Sequence, residues 1–366
     1  MSAVPVILAA ACTFPSGPVI ELADVAVHTS LSLLQQHPAY TDSSGSPVRV
    51  SFFPDESAFD ASRWAMLLRN ALDQSIAKLD GMGVGRDTHA CFLWLVIPDP
   101  VGRPGLPPEL LERVLETARE APLAWRSVQV VSGGHAAGVA AIKRAVELVS
   151  SSPDALAVVA GVESGLSNEA LTWLDLQSLL HGAQKPVREG FRSENNGRVP
   201  GEGAAALVLA APSPRGPPGW ASLLGCGLAE ESITHAVPKA CTGAGLTQAA
   251  RQALQQSKLN NGVPVGYVTV DLNGEAYRAD QFGFTALRLS DALQPGWRRI
   301  VPALASGDLG STSAVAHVAL AAYSLHQRPQ NTNHLVLASS DDSLRGAVLL
   351  GAVEPPSRQM QVRSWR

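Results

Sequence analysis

Short apolar runs alternate along this chain with longer amphipathic segments, and the alternation recurs in both halves. The runs predict strands over Val6–Ala11, Ala90–Ile97, Ser127–Val131, Leu156–Ala160 and Ala204–Leu209. A second set follows at Ala221–Gly227, Val265–Val270, Ile300–Pro302, Leu335–Ser339 and Arg345–Gly351. Helical spacing of apolar residues marks Ser62–Leu79, Pro108–Ala121, His135–Ser150, Gly245–Gln256, Ala279–Leu293 and Ser311–Leu325. Strand followed by helix, repeated, implies βαβ units and a parallel-rich sheet in each half. The polar, proline-rich Pro212–Gly219 lies between the halves, so the chain divides into 1–215 and 216–366.

Composition narrows the class. Of 366 residues, 46% are hydrophobic and 16% charged, against roughly 25% charged in ordinary soluble domains. Aromatics make up only 5%, so small and branched aliphatic side chains fill the interior, as in buried strands covered by alanine-rich helices. A net charge of −4 with no Lys/Arg block excludes nucleic acid and anionic membranes as partners. No apolar run reaches the ~18–20 residues of a membrane span. The opening MSAVPVILAAAC lacks a basic start and is interrupted by Pro5, so it reads as a buried first strand rather than a leader. Cys12, Cys91, Cys226 and Cys241 form no C-x-x-C pair, which suits a reducing compartment with neither zinc nor disulfides, and the expected location is the cytoplasm. Gly81–Gly85 reads as a loop and Gly243–Gly245 as a helix start; no NAD or ATP motif is present, and no cofactor or metal is expected.

The most specific string is Asn196–Leu209 (NGRVPGEGAAALVL), where Gly201 and Gly203 flank Glu202 before a small-residue strand. Glycines there let backbones approach and turn the chain into the sheet. The whole run resembles the DGFVxGEGA segment of β-ketoacyl synthases, the condensing enzymes of fatty-acid and polyketide synthesis. Val131–Ser164 is similar to that family's nucleophile segment, in which a strand ends in a sharp turn carrying the reactive cysteine at a helix N-terminus. Gly266–Gly274 (GYVTVDLNG) and Pro302–Ala314 (PALASGDLGSTSA) stand where the family has YVNAHGTGT and KSxxGHxxGAAG, and Thr13–Gly17 stands at its TPxG turn. The resemblance implies an α/β thiolase-like fold, five layers αβαβα built from two related halves, with a dimer as the usual assembly.

Condensation in that family needs a cysteine thiolate, two histidines that stabilise the developing oxyanions, and a supporting lysine. At those positions the resemblance places His135, Asp271, Asp308 and Ala303. Two carboxylates in place of oxyanion donors repel developing negative charge, at about 4 kcal/mol for like charges ~4 Å apart at an effective dielectric of ~20. The family's NxFGFGGxN loop corresponds to Ser340–Gly346, which carries Asp341 and Asp342 and no aromatic; Asn195, Asn196 and Arg198 replace its Arg-Asp and Phe. His135 then reads either as a buried histidine bonded to Asp271 or Asp308, or as a base oriented by one of them. Ser132, reached through a three-residue gap, would make a Ser–His–Asp set but lacks a G-x-S-x-G frame. Asp271–Asp280 reads either as a solvated loop entering a helix or as a salt-bridged cluster of Asp271, Glu275, Arg278 and Asp308. His37–Ser57 reads as an exposed insertion that carries specificity.

The expected function is a catalytically degenerate β-ketoacyl synthase-like protein acting as partner subunit, scaffold or adaptor. Relatives supply two patterns: the cysteine-less chain-length factors that pair with an active ketosynthase, and thiolase-like proteins encoded beside effectors of bacterial type VI secretion systems. Expected partners are a second copy or a related ketosynthase-like chain, a protein client, or an acyl carrier protein. The alternatives are an acyltransferase or thioester hydrolase acting on acyl-ACP or acyl-CoA through His135 with Asp271 or Asp308, and a module that holds such ligands without turnover.

Overall fold

The structure, a computed structural model, describes residues 4–55, 57–85, 89–182, 197–213, 216–234, 236–237, 239–258 and 262–353. Its first half runs β1 (Val6–Thr13), α1 (Ile20–His28), β2 (Gln35–Thr41), β3 (Pro47–Val50), α2 (Ala61–Gly81), β4 (Ala90–Ile97), α3 (Leu110–Glu120), β5 (Trp125–Ser132), α4 (Ala137–Ser151), β6 (Ala155–Ser164), α5 (Asn168–Leu176) and β7 (Glu202–Ala210). The second runs β8 (Ala221–Glu230), α6 (Ala244–Lys258), β9 (Val265–Val270), α7 (Ala276–Arg288), β10 (Leu293–Ile300), α8 (Ala303–Ser306), α9 (Ser313–Gln327), β11 (Asn333–Ser339) and β12 (Leu344–Gly351).

The main sheet has the order β10-β9-β11-β12-β8-β1-β7-β6-β4-β5. Its two five-strand sets meet only where Val6 and Ile7 of β1 pair with Ser222 and Ala221 of β8. Going outward from that seam, each set has two antiparallel pairings followed by two parallel ones. The sheet is therefore mixed rather than parallel-rich. In the second set the reason is visible in the chain: a connection of only Ser340–Ser343 joins β11 to β12 and permits only an antiparallel return.

Helices α4 and α9 fill the space between the inward faces of both strand sets, in one continuous apolar cluster. Helices α2 and α3 cover the outer face of the first set, and α6 with α7 covers the second. These are the five layers and two related halves implied by the resemblance. The small-residue composition has its reason here: a Cβ on Gly138 of α4 would lie 2.9 Å from the Cβ of Ala314 in α9, so the central helices touch almost backbone to backbone.

Three expectations change. One helix-to-strand step of the second half is shifted: α7 stops at Arg288 and the strand is Leu293–Ile300, not Ile300–Pro302. As an edge strand with exposed arginines and a register break between Leu293 and Arg298, it shows no apolar run. The segment 37–57 is not a free insertion; it contributes to the β2–β3 hairpin, whose Val48 and Val50 pack with Leu166, Leu171 and Leu180 in a satellite core. Helices α1 and α5 were not predicted. Asn195 and Asn196 lie outside the described residues.

Candidate functional site

The turn Gly133–Ala136 carries the chain from β5 into α4. A Cβ on Gly134 would sit 2.8 Å from Ser340, so the turn is pressed against the β11–β12 loop. Ser340 Oγ accepts the Ala136 N–H at 3.0 Å. A donor at the helix N-terminus, where a thiolate would be stabilised, is thus already occupied.

His135 is buried at this turn, and both ring nitrogens are engaged. Its Nδ1 lies 3.2 Å from Arg278 Nη2 and its Nε2 lies 2.7 Å from Asp308 Oδ1. A guanidinium cannot accept, so Nδ1 is the acceptor and the proton sits on Nε2, donated to Asp308. The imidazole has no lone pair left for a substrate.

Asp308 is fixed from three sides. Its Oδ1 also accepts the Gly310 N–H at 2.9 Å, its Oδ2 accepts Asn273 Nδ2 at 2.8 Å, and its backbone pairs with Val199 and Gly201. Burial pushes its carboxyl upward, but His135, Arg198 and Arg278 outweigh that and hold it well below the usual carboxylate range. The Gly201 contact tolerates no side chain, since an added Cβ would stand 2.2 Å from the Ser306 carbonyl oxygen. Gly201→Ala is accordingly expected to lower stability by about 2 kcal/mol or more, read as a drop in thermal midpoint of several degrees.

Asp271 does not join His135. Its Oδ2 accepts Arg278 Nη1 at 2.9 Å and the Ser339 N–H at 2.6 Å, turned away by the arginine between them. The salt-bridged reading of 271–280 is the one realised, with two further members. Arg278 Nε donates to Glu275 at 2.9 Å, Nη2 donates to Asp341 at 2.7 Å, and Nη1 also reaches the Ser339 carbonyl. Arg198 Nη2 donates to Glu275 at 2.9 Å and to Asp341 at 3.0 Å. Burial acts first on Glu275, raising its pKa, yet the two arginines prevail and lower it. Each carboxylate therefore faces a guanidinium, and the like-charge penalty expected from sequence is offset. Ser132 is exposed at the end of β5, opposite Ile97 in the sheet, and no hydrogen bond joins it to His135. Ala303, at the lysine position, is half-buried at the start of α8.

A cavity of about 200 Å³ opens beside His135, bordered by Arg103, Glu163, Trp173, Arg198 and Asp341. It is smaller than the ~300–1,000 Å³ usual for ligand pockets. All four cysteines are buried elsewhere in the core and none borders this cavity. Burial pushes the Cys226 thiol up to about 12 and Cys12 higher still, so neither supplies a thiolate. Among the described residues, no group of three or more His, Cys, Asp or Glu side chains is placed to hold a metal ion, and no helix is long and apolar enough to cross a membrane.

Several residues here escaped sequence reading. Asn273 links Asp308 to Glu275, donating at 2.8 and 3.1 Å, although its pairing with Gly274 suggested only a turn. Glu163 accepts Arg103 and Ser311. Glu202 receives Arg63 Nε and Nη2, the Phe53 N–H and Ser164 Oγ, all at 2.7–2.9 Å. Apart from Asn273 and Glu275, such partners lie tens of residues apart and leave no local spacing to detect.

Comparison with known proteins agrees with this architecture. Residues 127–213 match the family described as beta-ketoacyl synthase, N-terminal domain. No curated protein matches the chain in sequence. Among solved structures, a type II PKS acyl-carrier protein in complex with its ketosynthase matches at TM-score 0.75 and 13% identity, covering 96% of this chain and 100% of that one. The ishigamide ketosynthase/chain length factor matches at 0.70 and 16%, with the same 96% and 100% coverage. A β-ketoacyl synthase from Burkholderia phymatum STM815 matches at 0.72 and 14%, again covering 96% and 100%. The fold is thus the ketosynthase, thiolase-like fold.

Proposed function

We propose that this chain is a β-ketoacyl synthase-like protein without condensing chemistry, which uses the fold as a partner subunit or adaptor. The observation that carries the reading is His135 at the elbow, its Nε2 spent on Asp308 and its Nδ1 on Arg278. Condensation requires a group at that place able to take the acyl chain and donors that stabilise an oxyanion. Here the group has no free lone pair, and the cavity wall beyond it includes Asp308 and Asp341. The positions His135, Asp271 and Asp308 are read as the remnant of the catalytic triad, turned into a structural network through Arg278 and Arg198. The halves 1–215 and 216–366 act as one unit through their shared α4–α9 layer.

Partnership is supported by β5, which among the described residues bonds only to β4 and leaves its other edge open beside the turn at His135, with Val130 exposed. A second copy or a related ketosynthase-like chain pairing along that edge would cover it, and one structural relative is a ketosynthase/chain length factor. Another is bound to its acyl-carrier protein, which keeps a carrier protein among the candidate partners beside a secreted client.

The experiment is intact-mass analysis after incubation with acetyl-CoA and long-chain acyl-CoA, together with a thiol-release assay. No covalent adduct and no hydrolysis above background are expected. An adduct or hydrolysis that disappears in His135→Ala would instead establish the acyltransferase or hydrolase reading, in which His135 works with Asp308.

A further inference from the structure

We infer that His37 is an acid-sensitive latch, whose protonation frees the β2–β3 hairpin from the segment ahead of α5 and loosens the part of the cavity wall at His135 that α5 supplies. The latch is a property of the fold and holds whether or not the chain acts as a partner subunit. It starts from a fault in the hairpin. Strands β2 and β3 pair only at Gln35–Val50, Gln36–Arg49 and Thr41–Pro47, so β2 leaves the ladder over residues 37–40. Pro38 has no N–H, and the N–H groups of Ala39 and Tyr40 have no strand partner; both are accepted by His37 Nδ1, at 3.2 and 2.8 Å. A ring nitrogen that accepts carries no proton, so the proton sits on Nε2, which donates to the Leu166 carbonyl at 3.1 Å. One neutral imidazole thus fills the irregularity and ties it to the residue just ahead of the α5 cap. A two-stranded sheet is marginal by itself, so the hairpin depends on such ties.

The surroundings of His37 offer nothing to a positive charge. The side chain is buried, with its ring 5.0 Å from Phe59 and 6.3 Å from Tyr40. The ionisable groups of the neighbouring elements are engaged elsewhere or exposed. Asp42, at the hairpin tip, accepts the Ser44 and Ser46 N–H groups, and Arg49 of β3 is exposed. Ahead of and within α2, Asp55 and Glu202 face Arg63, and Asp60 caps the helix. On α5, Asp175 accepts the Ser43 N–H and Glu169 is exposed, as is His181 beyond Leu180. Among the described residues, none of these carboxylates pairs with His37. An imidazolium would instead share the Phe59 ring with Arg63, whose guanidinium lies 4.8 Å from its centre, and would turn a third N–H toward those of Ala39 and Tyr40. Burial lowers the His37 pKa, and the Leu166 carbonyl only partly counters that. With its folded value below the ordinary ~6.5, the latch is fully closed above 6.5 and gives way as pH falls beneath it.

The tie reaches the cavity through α5. Leu174 of that helix belongs to the satellite core of Val48, Val50 and Leu166, Trp173 packs against that core, and both Trp173 and Leu174 border the cavity at His135. Ser167, next to Leu166, caps α5 by accepting the Ala170 N–H and donates to the Gly105 carbonyl, in the loop that also brings Arg103 to the cavity. The bond from His37 therefore ends one residue from the cap on which this wall is mounted. The far end of the hairpin is held separately, by the Ser51 N–H on the Pro200 carbonyl and the Phe53 N–H on Glu202. Acid thus swings β2 away while β3 stays attached.

The test is hydrogen–deuterium exchange of the full chain at pH 7.4 and 5.0, with intrinsic rates divided out and peptides read for residues 35–50, α5 and β6. In the wild type, protection of 35–50 and of α5 is expected to fall at least fivefold on acidification, with both segments exchanging faster than β6 at either pH, the mark of local opening. His37→Asn keeps an oxygen for the two N–H groups and an amide donor for Leu166 but has no proton to gain, so its 35–50 protection changes less than twofold. His37→Ala exchanges fast at both pH values. The inference is overturned if wild-type 35–50 is equally protected at both, if it exchanges in step with β6, or if His37→Asn shows the same acid loss. Opening of 35–50 with α5 unchanged overturns the link to the cavity. If His37→Asn does not fold, nitrogen-15 spectra of the wild-type imidazole decide: His37 protonated on Nε2 alone, with the hairpin open at pH 5.0, overturns the latch.

Discussion

Replacing Arg63 by alanine is expected to destabilise the protein by about 3–5 kcal/mol, because it strands Glu202 as an uncompensated buried charge. Both side chains are fully buried. Arg63 sits one turn into α2, after an Asp60 cap, and ties Glu202 at the start of β7 to the carbonyls of Phe53, Asp55 and Ser57. The loss therefore releases the segment following the β2–β3 hairpin as well as the pair. Glu202→Gln keeps the shape and part of the hydrogen bonding, and should cost less. A double Arg63→Met/Glu202→Met recovers only part of the loss, since the Phe53 N–H and the three carbonyls remain without partners. Urea midpoints of the four proteins, wild type included, check this ordering. A single-site loss below 1 kcal/mol would mean that water reaches the pair.

Acid is expected to weaken the fold well above the carboxylate range. His317 of α9 and His334 of β11 are buried, and burial lowers each to about 3. His317 Nδ1 has no hydrogen-bond partner, while His334 Nε2 meets Thr269 Oγ1 at 2.7 Å. A histidine kept neutral in the fold and protonated near 6.5 when unfolded contributes stability that is complete above 6.5 and falls as pH drops toward 3. At about 1.4 kcal/mol per unit, each costs roughly 2–3 kcal/mol by pH 4.5, about 5 for the two. Asp308 and Glu275, held below their ordinary values, start to lose their contribution only lower, as pH falls below about 4. His28 acts in the opposite sense: Asp24 raises its pKa, so its contribution is present below 6.5 and fades as pH rises above it. Urea midpoints at pH 7.0 and 4.5 measure the loss, and His317→Leu should remove about half of it. An unchanged acid slope in that variant would sink the assignment.

The apolar runs located most strands of the main sheet and the six long helices because their periodicity is a local property. Val265–Val270 and Ala90–Ile97 are strands residue for residue. Edge strand β10 and the β2–β3 hairpin were misread because their environment, an open edge and a satellite core, is set by other parts of the chain. At the site, the motif positions brought His135 and Asp308 together correctly, since a turn after a strand and a glycine-rich turn before a helix both announce themselves locally. They could not tell that Arg278 stands between His135 and Asp271. That depends on the side chain reaching back from α7 across the end of β9.

By itself, then, the low-charge, small-residue sequence determined a layered α/β interior and the glycines, Gly201 and Gly203, at which backbones must nearly touch. Those constraints are steric and follow from residue size, which the sequence carries whatever part of the chain comes to lie opposite. Only the tertiary structure decided what the polar groups do, because whether a carboxylate repels or is neutralised depends on which distant guanidinium arrives within hydrogen-bond reach. Asp271, Asp308 and Asp341, which look like an electrostatic fault in one dimension, become, around Arg198 and Arg278, part of the network that holds His135 with no nitrogen free.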